Sequence, residues 1–176
     1  MSARRKAVIF VAATVTLLVI YLAHHLWAAA KPRREALEAL NHLEAALRGT
    51  APEALLEAVR VPGMVAGRTI AEQAEFLRKA LRDEISSEGV AVLGKKGRFG
   101  PLGEVFPDEA EGWARQGRVD STNCVAFRME REGVRAEVVL VRQEGFGAEE
   151  PPYRVLRCNN VMQMAMDGLE AGDKRP

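Results

Sequence analysis

CVAFRMEREGVRAEVVLVR, residues 124–142, is the stretch that decides the fold of this chain. Its two halves, Cys124 to Arg131 and Val134 to Arg142, are rich in residues that favour β-strands. Glu132-Gly133 separates them as a two-residue hairpin signal, although Asn-Gly or Asp-Gly is a stronger one. Residues 153–161 have a similar composition and predict a third strand. The sequence therefore predicts a C-terminal antiparallel meander.

Upstream of the hairpin, apolar residues recur at helical spacing. The predicted helices are residues 34–48, 50–60, 69–84 and, after a strand-rich region, 107–116. Capping-box pairs, Thr50 with Glu53 and Thr69 with Glu72, open the second and third helices, and Gly49 ends the first. Three helices are therefore expected to lead the domain.

Glycines punctuate the region between residues 86 and 106. Val90–Leu93 and Leu102–Phe106 are short apolar runs bounded by these glycines, so we interpret them as strands. Between them lies the basic, glycine-rich segment Gly94–Gly103, which lacks the GK[ST] ending of a P-loop. We interpret this segment as a hairpin connection, and a cradle for a phosphate or lipid headgroup is the alternative.

Leading helices followed by strands predict an α+β fold, with about three helices packed on one face of an antiparallel sheet. By element order alone, this arrangement resembles the NTF2-like and cystatin-like rolls. The predicted segments are a short basic N terminus (1–6), a transmembrane anchor (7–30), a single α+β domain (31–166) and a polar tail (167–176). Residues 144–152, acidic and ending in two prolines, predict a surface loop.

The anchor is predicted from the 24 residues Ala7 to Ala30, which contain no Asp, Glu, Lys or Arg. A helix of that length spans roughly 36 Å, enough for a hydrocarbon core of about 30 Å. Basic residues flank the run on both sides: Arg4, Arg5 and Lys6, then Lys31, Arg33 and Arg34. Pro32 predicts that the anchor helix ends or bends before the next helix.

A cleaved signal peptide is the alternative for this run, because Ala28-Ala29-Ala30 resembles a signal-peptidase site. The apolar block is longer than a usual signal-peptide core of about 7 to 15 residues, and Trp27 fits an interfacial aromatic belt. We favour the anchor. Each flank carries three basic residues, so these side chains alone do not determine the membrane orientation of the anchor. The free amino terminus adds one positive charge on the N-terminal side, which favours an N terminus on the inside. We expect a single-pass protein of the inner membrane with a periplasmic domain.

Charge excludes one function class. The chain has 25 Lys and Arg and 24 Asp and Glu; three of the basic residues and no acidic one precede residue 31, so residues 31–176 carry 22 against 24. Nucleic-acid binding normally requires a clustered basic excess. We therefore predict no nucleic-acid partner.

Catalytic patterns are weak throughout the domain. His42 is the one histidine after residue 30, and we interpret it as a solvated helix-surface residue. Neither HExxH nor CxxC occurs, so no metal site and no catalytic set are predicted. Acidic pairs occur as Asp83-Glu84, Asp108-Glu109 with Glu111, and Glu149-Glu150. Their positions at helix ends and in a loop favour solvated charges over a catalytic pair.

Cys124 and Cys158 lie on predicted strands, 34 positions apart. In an exported domain they form a possible disulfide, worth about 3 to 4 kcal/mol in the chain-entropy model. Two buried free thiols are the equal alternative. Phe106, Trp113 and Met129 are interpreted as core or groove residues.

Two further groups of residues are weighed for binding. His24 and His25 lie in the apolar run, where a neutral imidazole can ligate haem or a chlorin. His24 and His25 lie near the end of the apolar run, beside Trp27, so we interpret them as residues of the membrane interface. We therefore predict no cofactor. The methionine-rich run 162–166 is either an adaptable contact surface or, as we prefer, a core edge.

Two classes of function remain. The first is a non-enzymatic accessory or scaffold subunit, whose partners are integral membrane protein subunits and the lipid bilayer. The second is a membrane-tethered small-ligand-binding or enzymatic domain of NTF2-like shape. An apolar cavity holding a perturbed carboxylate favours the second class, whereas a filled core with an exposed apolar patch favours the first.

Overall fold

The computed structural model describes the backbone of residues 3–60, 68–143 and 152–165, with side chains from residue 14 onward. It divides into two compact units, Met1–Arg34 and Glu35–Pro176. The described elements are α1 (Ala3–Arg48), α2 (Pro52–Ala58), α3 (Ile70–Leu81), α4 (Ser87–Lys96), β1 (Arg98–Pro101), α5 (Leu102–Val105), α6 (Ala110–Gly117), a 3-10 turn (Ser121–Asn123), β2 (Cys124–Arg131), β3 (Val134–Arg142) and β4 (Tyr153–Asn159). The α+β class is therefore confirmed, with a four-stranded antiparallel sheet, six α-helices and one 3-10 turn among the described residues.

The first unit is the N-terminal part of α1. The helix continues through Pro32, so the expected end at this proline is wrong. Proline removes one hydrogen bond from the helical ladder, but its fixed φ near −65° is itself helical. Among the described residues, no helix combines the length and apolar character that a membrane crossing requires.

The sheet of the second unit has the strand order β1-β2-β3-β4, and every neighbouring pair is antiparallel. The predicted hairpin is confirmed, since Arg131 pairs with Val134 around a two-residue turn. Glu132 and Gly133 have φ values of 50° and 82°, the positive pair of a type I′ turn. Gly133 adopts this conformation without cost, whereas Glu132 is strained there.

Helices cover both faces of the sheet. On one face, α1 to α4 pack on Phe127, Val138, Leu140 and Val155. On the other face, α5 and α6 pack on a cluster that includes Ala126, Val139 and Val141, because side chains alternate along a strand. The expectation that the helices cover one face is therefore wrong. Residues 138–141 are all buried, and an uninterrupted apolar run of this kind needs cover on both faces of its strand.

Two predicted strands are helical in the structure. Residues 87–96 form α4, which begins where the Ser86 hydroxyl accepts a hydrogen bond from the Gly89 amide at 3.1 Å. Its buried side chains Val90 and Leu93 are three residues apart and share one face of the helix. Residues Leu102–Val105 form α5. Four helices, α1 to α4, therefore precede the sheet, and α5 follows β1.

The capping predictions had different outcomes. Thr69 and Glu72 form a capping box at the start of α3, as predicted. The box proposed for Thr50 and Glu53 is wrong, because α2 starts with Pro52 after Ala51, whose side chain offers no acceptor. The predicted helix at 107–116 is present as α6, whereas β1 replaces part of the expected loop 94–103.

Several predicted features lie outside the described residues. They are the side chains of residues 4–13, loop residues 144–151 with Glu149-Glu150, Met166 and the tail 167–176.

Candidate functional site

An apolar helix, exposed on all sides, is the most unusual surface of the first unit. Every described side chain from residue 14 to residue 30 is exposed, and none of them is Asp, Glu, Lys or Arg. The large apolar side chains, Val15, Leu17, Leu18, Val19, Ile20, Tyr21, Leu22, Leu26 and Trp27, are 50% to 70% exposed. A helix that is apolar all round is normally buried in a protein core or a membrane. We call residues 14–30 the exposed apolar helix.

Both candidate ligand residues of this helix, His24 and His25, are exposed. The His25 ring lies 6.1 Å from the Tyr21 ring, one turn earlier. Nearer the end of the unit, the Arg34 guanidinium lies 5.1 Å from the Trp27 ring centroid, within cation–π range. Consecutive helical residues point about 100° apart, so His24 and His25 do not share one ligand direction.

Cys124 and Cys158 are both buried and free. Cys124 belongs to the cluster under α5 and α6, whereas Cys158 belongs to the cluster under α1 to α4. Their strands, β2 and β4, are separated by β3, so the structure does not bring the two sulfurs together. Burial raises the pKa of the Cys124 thiol to about 11 and that of Cys158 to about 12. Such thiols stay protonated and are poor nucleophiles.

The predicted acidic groups act mainly as structural acceptors. The Glu84 carboxylate accepts a hydrogen bond from the Asn160 amide at 2.6 Å, and Glu111 accepts one from the Ser121 hydroxyl at 3.0 Å. The Arg135 guanidinium donates to Glu109 at 2.7 Å and lowers the pKa of that carboxyl. The lowered pKa keeps the Glu109 carboxyl ionised, whereas a general acid needs a raised pKa.

The sequence interpretation missed an arginine–aromatic network on the sheet face that α5 and α6 cover. Arg135 lies 2.7 Å from Glu109 and 2.7 Å from Glu137, and Arg157 lies 3.2 Å from Glu137. The guanidinium of Arg135 lies 5.0 Å from the Phe106 ring, and that of Arg157 lies 4.8 Å from the Trp113 ring.

A sequence signal for this network exists. Arg128 and Glu130 on β2, and Arg135 and Glu137 on β3, recur with the two-residue period that places side chains on one sheet face. The aromatic partners come from α5 and α6, so they were not apparent from the strand pattern. The network connects α6 to the sheet, and its arginine and glutamate side chains neutralise one another.

The remaining candidates are distributed over the surface. His42 is exposed on α1, as expected. The basic residues of the segment 94–103 are divided between the last turn of α4 and β1, so they do not form one loop. Met164 is buried, whereas Met162 lines a groove of about 810 Å³ together with residues of α1 and α3. Among the described residues, no group of three or more His, Cys, Asp or Glu side chains converges as a metal set would.

In comparisons with protein-family models, with curated proteins and with solved structures, nothing matches this chain. Its function is therefore inferred from its own residues.

Proposed function

We propose that this protein is a single-pass, membrane-anchored accessory or scaffold subunit. In this proposal, residues 7–30 enter the bilayer, and the α+β domain docks on integral membrane protein subunits. The exposed apolar helix carries the proposal, because nine large apolar side chains are 50% to 70% exposed to water. Covering them with lipid is worth on the order of 10 kcal/mol at about 25 cal/mol per Å².

The domain's interior supports docking over catalysis. Core side chains such as Leu40, Leu55 and Phe127 are fully buried in one continuous cluster under α1 to α4. Hydrogen bonds hold the pKa values of the Glu72, Glu109 and Asp120 carboxyls below their usual range. A filled core and the lowered pKa values of these three carboxyls suit a protein that acts by binding.

Membrane integration is tested by extracting membranes with alkaline carbonate. Leu18 and Val19 lie at the centre of the run 7–30, where each arginine costs about 2.5 to 3.5 kcal/mol. We expect the wild-type chain in the membrane pellet and the Leu18→Arg/Val19→Arg variant in the supernatant. Phe76→Arg is the matched control, because Phe76 is 59% exposed on α3 in the other unit.

Extraction of the wild-type chain, or retention of the double variant, would overturn the anchor. A mature N terminus at Lys31, read by N-terminal sequencing, would establish the cleaved signal peptide instead. The periplasmic orientation predicts that protease added to spheroplasts digests the domain, whereas protection would reverse it. Purification in mild detergent is expected to yield a stoichiometric integral membrane subunit, and a lone monomer would overturn the accessory role.

The alternative function is a membrane-tethered domain of the NTF2-like type that binds or converts a small ligand. The groove of about 810 Å³ supports it, since ligand pockets commonly have about 300 to 1,000 Å³. The groove contains Leu47, Ile85 and Met162 among charged residues such as Arg82 and Asp83. A defined small molecule in native mass spectra of the purified protein, lost on Met162→Arg substitution, would favour this alternative.

A further inference from the structure

Polar side chains of the exposed apolar helix gather on one side of it. The residues that carry a hydrogen-bonding group are Thr14, Thr16, Tyr21, His24, His25 and Trp27. At about 100° per residue, an arc of about 100° contains four of them. These four residues, which we call the polar face, are Thr14, Tyr21, His24 and His25. The other two lie roughly 110° or more from the centre of this arc.

Three polar groups of this face lack a hydrogen-bond partner. In the part of the chain that the structure describes, neither the Tyr21 hydroxyl nor the imidazoles of His24 and His25 form a hydrogen bond. The His25 ring lies beside the Tyr21 ring, with the centroids 6.1 Å apart and the ring planes tilted by 48°. All three side chains are exposed, so their polar groups are accessible to a partner outside the chain.

The depth of the polar face in a bilayer makes such a partner necessary. Along the helix axis, Tyr21 lies about 4 Å from the midpoint of residues 7–30, and the two histidines lie about 8 and 10 Å from it. These depths are within the half-thickness of a hydrocarbon core, about 15 Å. Lipid tails offer no hydrogen-bond partner, so polar groups at this depth normally face another helix.

The polar face also has the spacing of a helix pair. Five residues on this side of the helix are separated by steps of three, four, three and four positions: Thr14, Leu17, Tyr21, His24 and Ala28. This alternation keeps one stripe toward a parallel neighbour in left-handed packing, which most membrane helices adopt. The small side chain of Ala28 allows two backbones to approach closely. We call these five residues the seam.

We propose that a second copy of this chain covers the polar face, so that two anchor helices pair in parallel along the seam. This inference rests on the proposed insertion of residues 7–30. A tyrosine hydroxyl and a neutral imidazole each offer a donor and an acceptor, so the polar face complements an identical face across a twofold axis. A partner helix of opposite charge is not required, because residues 7–30 contain no Asp, Glu, Lys or Arg.

The first test is disulfide crosslinking between copies in native membranes, with copper phenanthroline as the oxidant. Leu17→Cys and Ala28→Cys each place a cysteine on the seam, where equivalent positions of a close pair lie within the roughly 7 Å between Cα atoms that a disulfide spans. Leu26→Cys and Ala30→Cys are matched controls on the opposite side of the helix, and Leu26 is 70% exposed against 67% for Leu17. We expect disulfide dimers from the seam variants alone, since the two native cysteines are buried.

The second test removes hydrogen-bonding groups from the seam. Tyr21→Phe/His24→Leu makes the helix more apolar, so membrane insertion is retained while hydrogen bonds between the copies are lost. The dissociation constant of the dimer, measured by analytical ultracentrifugation of the full chain in neutral maltoside micelles, should rise about tenfold or more. Thr16→Val removes a hydroxyl outside the polar face and should leave this constant unchanged.

The outcomes separate the pairing from the membrane anchor. Equal crosslinking at all four positions would overturn the pairing alone, as would no crosslinking at the seam in a chain that resists carbonate extraction. Extraction of the wild-type chain would overturn both the anchor and the pairing. A disulfide adduct of a mass other than twice that of the chain would place a different subunit on the seam and refute the second copy. An unchanged dissociation constant in the double variant would refute the role of the polar face.

Discussion

Two glycines at equivalent helix positions should respond oppositely to the same substitution. Gly89 is the third residue of α4, and Gly112 is the third residue of α6. In an open helix, alanine is more favourable than glycine by about 0.5 to 1 kcal/mol. A Cβ at Gly112 meets nothing within 4 Å, so Gly112→Ala should stabilise the protein by about that amount.

At Gly89 the same Cβ would lie 2.1 Å from the Val161 carbonyl oxygen and 2.8 Å from its carbon. Relief requires a backbone shift of roughly 1 Å, because carbon and oxygen atoms normally approach no closer than about 3.3 Å. The obstructing segment is held on both sides of Val161, since the Asn160 amide donates to the Glu84 carboxylate and the Met162 amide donates to the Glu84 carbonyl. Overpacking of this kind costs about 1 to 3 kcal/mol, which exceeds the gain in helix propensity.

We therefore expect Gly89→Ala to lower the free energy of unfolding by about 1 to 2 kcal/mol. For a chain of this size, that corresponds to a decrease in Tm of roughly 2 to 8 °C, against an increase of a few degrees for Gly112→Ala. Urea and thermal unfolding of the full chain in mild detergent, followed by circular dichroism at 222 nm, measure both. If Gly89→Ala is as stable as wild type, the close approach of α4 to Val161 is refuted.

Three further predictions concern side chains of the sheet and α6. Because Arg135 lowers the Glu109 pKa below 4.5, this carboxylate stabilises the fold above about pH 4.5 and loses that effect as pH falls through its folded pKa. Glu109→Gln should therefore lower the urea midpoint at pH 7, with a smaller difference at pH 3, and an equal difference at both pH values would contradict the pairing. Cys124 and Cys158 should resist iodoacetamide at pH 8 in the native protein, and both should titrate as free thiols after unfolding. Because burial raises the pKa values of both thiols, the free energy of unfolding should fall as pH rises above about 9. Absence of free thiols in the unfolded protein would disprove the prediction of two buried free cysteines. Glu132→Asn should raise the Tm, because asparagine tolerates the positive φ of 50° and recovers part of roughly 1 kcal/mol of strain; an unchanged or lower Tm would contradict the I′ turn.

Local chemistry explains which elements were predictable. The β2–β3 hairpin and the α3 capping box depend on residues within four positions of one another, and both are present as predicted. The strand predicted at Val90–Leu93 is wrong because Gly89 and Gly94 resemble turn residues in sequence. In the structure, Gly89 instead allows α4 to approach Val161, 72 positions further along the chain. No local pattern contains that contact.

The candidate sites also differ in whether local sequence reveals them. Residues 7–30 are apparent from composition alone, and so is the near-neutral charge of the domain. The arginine–aromatic network was not apparent, because Arg135 and Arg157 on the sheet lie near the rings of Phe106 and Trp113 only in the folded chain. The two cysteines similarly lay on predicted strands, but the side on which each points depends on the strand register.

By itself, the sequence determined the α+β class, the hairpin and its turn, the capping box of α3 and the apolar character of residues 7–30. Each of these depends on propensities and periodicities that act over one turn of helix or one strand pair. The tertiary structure alone decided that helices cover both sheet faces, that residues 87–96 are helical and that sheet arginines lie beside the rings of Phe106 and Trp113. These features follow from burial and charge across long sequence separations, where packing overrides local preference.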